Sequence, residues 1–252
     1  MNDYKKIISI PALKSTAKES FIFLPGGYQN TWSFARIIDG LIERKNADCY
    51  LVNLPGYYQN ISSDRTTIDE PIKDISNSII NRIRTKNVSI IGHSLGGGIG
   101  CHLSSHIATD VNNIQLYLSC MPISINPRIL TIRSRINDLI NIPAKWIGRR
   151  NIPLFLRGFM CSSYNNKMLN ILSDPDERIV SLISVKEKLK VHLGASQFDP
   201  IAGPIVRQRE FYNILKSKGV SITFTNFGFT SHIPEKIRPN NYTNWIIQNC
   251  VD

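Results

Sequence analysis

The chain has 252 residues, 42% of them hydrophobic and 19% charged, with a formal net charge of +11. This is the composition of a globular chain long enough to bury one large core, and it excludes disordered and collagen-like architectures. The positive charge raises nucleic-acid binding as a function class, and its uneven distribution along the chain points away from it.

At the N-terminus Lys5 and Lys6 precede an apolar run that Pro11 and Lys14 soon interrupt. That run is shorter than the apolar segment of a secretory signal, so the expected compartment is the cytoplasm. From there short β-branched or aromatic runs alternate with helix-length segments, which predicts βαβ units and a mostly parallel sheet. Phe21–Leu24 reads as a buried strand ended by Pro25-Gly26-Gly27, and Tyr50–Leu54 as the next, ended by Pro55-Gly56. Residues 69–85 carry Ile72, Ile75, Ile79, Ile80 and Ile83 at helical spacing. Val88–Ile91 is a third strand, Leu95–Ala108 a glycine-rich helix and Ile114–Leu118 a fourth strand. Between Pro122 and Lys188 no strand pattern is visible. A structureless loop that long is improbable in a compact domain, so this stretch is expected to be a partly helical cap. The alternation resumes with a strand at Leu189–Leu193, a helix over 204–218, a strand at Ser221–Thr225 and a closing helix at Asn240–Asn249. The expected organisation is therefore a core made of residues 1–121 and 189–252, with residues 122–188 inserted as a lid.

Gly92-His93-Ser94-Leu95-Gly96 matches G-x-S-x-G between a strand and a helix. That spacing suits a nucleophile held on a sharp turn. The glycines let backbone approach backbone, and the helix N-terminus favours the negative charge that develops in acyl transfer. The competing reading is a phosphate-binding glycine turn. It lacks a P-loop lysine and an acidic residue at the next strand end.

A serine hydroxyl needs a base. Of the five histidines, His93 lies inside the turn, His102 and His106 on the following helix and His192 within a strand. His232 follows the last strand in Gly228-Phe229-Thr230-Ser231-His232, where the sites of α/β sheets gather. The acid is expected between Ser94 and His232 just beyond a strand, and Asp199 in Gln197-Phe198-Asp199-Pro200 fits. A helix N-cap is the alternative role for Asp199, and Asp174 and Asp176 are its rivals from within the insertion. Oxyanion donors are expected at the Leu95 amide and in the loop Leu24–Gln29, with Gly27 the first choice there and Tyr28 the second.

Together FLPGG, NLPGY, GHSLGG, GASQFDP and TSHIP make the sequence resemble the α/β-hydrolase superfamily over most of its length. The resemblance implies an eight-stranded, mostly parallel sheet flanked by helices, with a helical cap between strands six and seven. Two positions depart from the family pattern. Pro25-Gly26 stands where many members carry His-Gly, and Asn53 where many carry Asp. Serine at 94 also separates this chain from the branches that attack with aspartate.

Five cysteines, Cys49, Cys101, Cys120, Cys161 and Cys250, are odd in number and widely spaced, so neither a zinc site nor a disulfide framework is expected, and no cofactor is called for. Residues 122–190 hold twelve Lys or Arg against five Asp or Glu, a net +7 of the +11. A basic cap has three readings: a solvated surface, a dock for an anionic or carrier-bound acyl substrate, or peripheral contact with an anionic membrane. The expected activity is hydrolysis of a carboxylic ester or thioester through an acyl-enzyme on Ser94. The alternative is an acyltransferase or cyclase that uses the same residues with an acceptor other than water. A binding protein has no use for all three polar residues, and no nucleic-acid motif accompanies the charge.

Overall fold

The alternation of the strands gives the sheet two buried faces. In β2 (Ser20–Leu24), Phe21 and Phe23 join one hydrophobic cluster while Ile22 and Leu24 join another. The same division recurs in β4 (Asn87–His93), with Val88 and Ile90 opposite Ile91, and in β5 (Asn113–Ser119), where Tyr117 faces away from Ile114, Leu116 and Leu118. A strand buried on both faces must be covered on both, which is why helices flank this sheet. This computed structural model describes residues 7–14, 16–26, 29, 31–54, 69–123 and 175–250.

Seven strands are present among the described residues, in the order β1-β3-β2-β4-β5-β6-β7. The eighth that the resemblance implied is not among them. Here β1 is Ile7–Ile10, β3 Asp48–Val52, β6 Leu189–Ala195 and β7 Ser221–Asn226. Only β1, paired with β3, is antiparallel; every other neighbouring pair is parallel. On one face lie α1 (Ala35–Lys45) and the closing helix α7 (Pro239–Asn249), which contribute Ile37, Ile38, Leu41, Tyr242, Trp245 and Ile246 to the cluster around Phe21 and Phe23. On the other face lie α2 (Asp69–Ile80), α3 (Leu95–Ile107), α4 (Pro175–Ile183) and α5 (Ile205–Ser217). Full burial of each such Leu, Ile or Phe contributes roughly 1.5–3 kcal/mol.

Several expectations shift in detail. The second expected strand starts two residues earlier, because Asp48 pairs with Ser20 in the parallel ladder and its carboxylate is satisfied by the Arg84 guanidinium and the Ala12 amide. The second helix ends at Ile80, and Ile83 is carried on a turn whose amide still bonds back to Ile79. Among the α-helices and strands three were not anticipated: α1, which presents Ile37, Ile38 and Leu41 on one face and ends on Asn46 in the left-handed conformation (φ 48°), the four-residue β1, and the short helix Pro234–Ile237.

Most of the expected cap, residues 124–174, lies outside the described residues. Its C-terminal end is α4, which packs Ile179 and Leu182 into the core. Next to Ile179, Arg178 is fully buried. Its guanidinium donates to the carbonyls of Pro122 (2.7 Å) and Ile123 (2.9 Å), which pins α4 to the segment that follows β5. Among the described residues no helix is long and apolar enough to cross a membrane.

Candidate active site

The site lies where β4 turns into α3. Ser94 sits between them with φ 51° and ψ −118°, a conformation that costs a non-glycine residue on the order of 1–3 kcal/mol. The surroundings hold it there. A Cβ on Gly96 would stand 2.0 Å from the Leu24 carbonyl oxygen, and one on Gly92 would stand 2.6 Å from the Gly96 carbonyl oxygen. Only glycine at both positions lets the end of β2, the end of β4 and the first turn of α3 meet. The Ser94 amide donates to the Ser119 carbonyl at the end of β5 (2.9 Å), and the Gly97 amide donates to the Ser94 carbonyl (2.9 Å).

The three residues expected to act together are adjacent in space. Ser94 Oγ is 2.9 Å from His232 Nε2, and His232 Nδ1 is 2.9 Å from each Asp199 carboxylate oxygen. With the imidazole proton on Nδ1, that N–H donates to Asp199, and Nε2 is left as the acceptor for the Ser94 hydroxyl. Asp199 Oδ1 also accepts the amides of Ile201 (2.9 Å) and Ala202 (2.8 Å). The N-cap of α5, the alternative role read for Asp199, falls to Pro204, and Asp199 instead holds the turn of residues 199–202 as it faces the histidine. Burial by itself would raise its carboxyl. The His232 imidazole and the two amides outweigh burial and hold it below the usual carboxylate range.

The loops carrying Asp199 and His232 are tied to one another. Ser196 Oγ and Thr230 Oγ1 are 2.7 Å apart, the Gln197 amide donates to the Gly228 carbonyl (2.8 Å), and the Phe227 amide donates to the Ala195 carbonyl (2.8 Å). Ser231, with φ 54°, sets the direction of the histidine. Cys120 closes the back of the site, its thiol 3.4 Å from Ser196 Oγ. Cys120, Asp199 and His232 bring three ligand-type atoms within 4.8 Å of one another. Burial first, and then the neighbouring Asp199 charge, push the Cys120 thiol up, away from the thiolate a metal requires. The facing atoms of Asp199 and His232 already bond each other and so are not free to hold a metal.

Of the other histidines, His106 is exposed on α3 and the remaining three have separate partners. His192 lies between Thr223 Oγ1 (2.9 Å) and Gln115 Oε1 (2.8 Å) and stacks on Tyr117, and burial pushes it down to about 4. His102 Nδ1 is 3.3 Å from Ser181 Oγ of α4. His93 is buried beneath the turn with Nδ1 3.2 Å from Ser119 Oγ, and burial drives it well below its ordinary value. Asp176 is exposed on the first turn of α4, and Asp174 lies outside the described residues.

Leu95 opens α3. The first amides of a helix have no intrahelical acceptor, and the Leu95 N–H is one of them. Gly27 and Tyr28 lie outside the described residues. Gly26 beside them does pack on the turn, where a Cβ would come within 2.8 Å of the His93 ring and 3.1 Å of Ser94 Cβ. Two polar residues near this loop were missed by sequence reasoning. Gln29 Nε2 donates to Glu235 Oε1 (2.8 Å), and both residues are buried. No motif marks either one; only long-range contact brings them together.

A family model described as alpha/beta hydrolase fold matches residues 19–131. No curated protein matches the sequence. Among solved structures the chain is similar to MGS-M2, an alpha/beta hydrolase enzyme from a Medee basin deep-sea metagenome library, at 12% identity over 98% of this chain and 95% of that one, with a TM-score of 0.69. It is similar to an esterase from Exiguobacterium antarcticum at 13% identity over 96% and 93% of the two chains, with a TM-score of 0.65. An enol-lactonase from Burkholderia xenovorans LB400 aligns at 14% identity over 96% and 95%, also with a TM-score of 0.65. At these identities the structures speak to fold alone. The matched family model, the strand order and the structural neighbours agree on the α/β-hydrolase fold for this chain.

Proposed function

We propose that the chain is a serine hydrolase that cleaves a carboxylic ester or thioester through an acyl-enzyme on Ser94. The observation that carries this reading is the unbroken hydrogen-bonded line from Ser94 Oγ through His232 to Asp199. It is presented on a strained turn at the N-terminus of α3. The esterase and enol-lactonase names of two structural neighbours accord with ester chemistry on this fold.

In this reading Ser94 Oγ attacks the substrate carbonyl carbon as its proton passes to His232 Nε2. Asp199, fixed by the Ile201 and Ala202 amides, keeps the imidazole oriented and stabilises the imidazolium without taking the proton. The new oxyanion is met by the Leu95 amide and by a second donor from the loop after β2, at Gly27 or Tyr28. Collapse of the adduct breaks the carbonyl–oxygen or carbonyl–sulfur bond, and the leaving group departs with the proton from His232 Nε2. Water then attacks the acyl carbon and gives its proton to Nε2. The second collapse frees the acid and returns the proton to Ser94.

Hydrolysis of a p-nitrophenyl ester by wild type and Ser94→Ala tests the reading. Loss of turnover in a variant whose thermal midpoint is unchanged is the expected result. Turnover equal to wild type in that variant removes Ser94 as the nucleophile.

A further inference from the structure

The proposed reaction leaves unused a buried polar chain beneath the turn. Its first member is Gln29, which closes the loop after β2 in two ways. Its amide donates to the Gly26 carbonyl (3.1 Å), and its side-chain Oε1 accepts the Gly26 amide (3.0 Å). Residues 26 and 29 are thus clamped by backbone and by side chain, and the two residues they bracket are 27 and 28, the positions expected to supply the second oxyanion donor. The remaining Gln29 atom, Nε2, donates to Glu235 Oε1 at 2.8 Å across 206 residues of sequence.

Glu235 lies on α6 (Pro234–Ile237), three residues beyond His232. It is 2% exposed, and its second oxygen is 3.5 Å from His93 Nδ1 with no hydrogen-bond partner. A carboxyl group this deeply buried is costly unless polar neighbours hold it, and a fold gains nothing by placing one against a glutamine that an apolar pair would replace. The chemistry of residue 29 is also specific. An amide can accept from Gly26 and donate to Glu235 at once, whereas an ionised carboxylate at 29 can only accept and would face a second carboxyl group.

Resting on the acyl-transfer reading of Ser94, we propose that Gln29 and Glu235 form a strut that fixes the oxyanion loop relative to the histidine loop. Both are positioning residues. Neither touches substrate. The strut ties the segment that carries the proton acceptor to the segment that carries an oxyanion donor, so that the two approach the carbonyl in register. Geometry at this level matters to rate, because a misplacement of about 1 Å in a reacting constellation costs on the order of 10²-fold.

The test measures p-nitrophenyl ester hydrolysis and inhibition by a trifluoromethyl ketone, which forms a tetrahedral adduct with an oxyanion, in Gln29→Ala, Glu235→Ala, Glu235→Gln, the double alanine variant and Ser94→Ala. Gln29→Ala and Glu235→Ala should each lower kcat by about tenfold to a hundredfold, less than the ~10²–10³-fold of losing a donor outright, and should weaken the ketone in proportion. KM should stay within about threefold in both variants, since a part used only in the transition state leaves ground-state binding intact. The double variant should be no worse than the more damaged single variant, because one strut is broken only once. Glu235→Gln keeps an acceptor for Gln29 and should recover most of the rate. Should Glu235→Ala fail to fold, Gln29→Ala and Glu235→Gln decide the matter. A Gln29→Ala enzyme with wild-type kcat and wild-type ketone affinity overturns the strut, as do losses in the two alanine variants that simply add. Either result beside an inactive Ser94→Ala leaves the nucleophile standing, whereas an active Ser94→Ala overturns the underlying reading itself.

Discussion

Replacing Asp199 with asparagine is the substitution whose consequence follows most closely from the geometry. Asp199 Oδ1 is held by two backbone amides, Ile201 at 2.9 Å and Ala202 at 2.8 Å, in addition to His232. Those amides require an acceptor. In Asp199→Asn the carbonyl oxygen therefore stays where Oδ1 is and the NH₂ group takes the place of Oδ2, 2.9 Å from His232 Nδ1. A donor at that point competes with the retained Oδ1 for Nδ1 and favours the tautomer with the imidazole proton on Nε2. The nitrogen facing Ser94 then carries a hydrogen and cannot take the hydroxyl proton. The side chain is isosteric and its bonds to the turn survive, so the fold should hold. The rate should not: an inverted tautomer in a serine–histidine–aspartate relay lowers kcat by about 10⁴-fold, or ~5.4 kcal/mol at about 1.36 kcal/mol per decade. Steady-state hydrolysis of a p-nitrophenyl ester, with the thermal midpoint measured alongside, checks this. A variant that folds and retains kcat within tenfold of wild type would refute the assignment of Asp199 as orienting acid.

Gly96→Ala would place a methyl group 2.0 Å from the Leu24 carbonyl, so β2 and α3 must part; a loss of about 3 kcal/mol in chemical denaturation is expected. Arg178→Met removes two donors from the buried carbonyls of Pro122 and Ile123 and should cost about 3 kcal/mol, again read by denaturation. Stability should also fall on mild acidification. His93 and His192 are held below their ordinary value in the fold, so below about pH 6.5 the unfolded chain binds more protons than the native one. Their contribution is complete above that pH and is lost as pH falls, with His192 itself protonating in the fold near 4. In thermal melts from pH 7 to pH 5, His192→Gln should show a shallower decline than wild type.

Much of the site is legible in the sequence because its constraints are local. The turn around Ser94 needs glycine at 92 and 96 for contacts within a few residues and one strand away, and such needs leave a fixed motif. Asp199 and His232 were reachable because chain order and strand ends limit where an acid and a base can stand. That Asp199 holds a turn and faces His232 at once was not, since the two roles look alike until both carboxylate oxygens are placed. Gln29 and Glu235 left no trace, because their meaning arises only when the first loop packs on the last. In the fold, strands buried on both faces announced themselves as apolar runs. The four residues of β1 did not, with Ser9 interrupting the apolar pattern, and α1 went unread although Ile37, Ile38 and Leu41 carry its buried face. The start of β3 was misjudged because Asp48 is a charged residue buried by an arginine far along the chain. Gly27 and Tyr28, the expected oxyanion donors, and the basic stretch of the expected cap lie outside the described residues.

The central claim is covalent chemistry at one oxygen, and it is tested most directly by trapping it. Wild-type protein treated with a fluorophosphonate and then digested for peptide mass spectrometry should carry one adduct per chain, on the peptide containing Ser94, and Ser94→Ala should carry none. An adduct mapped to another residue, or one that forms undiminished in Ser94→Ala, would contradict the account.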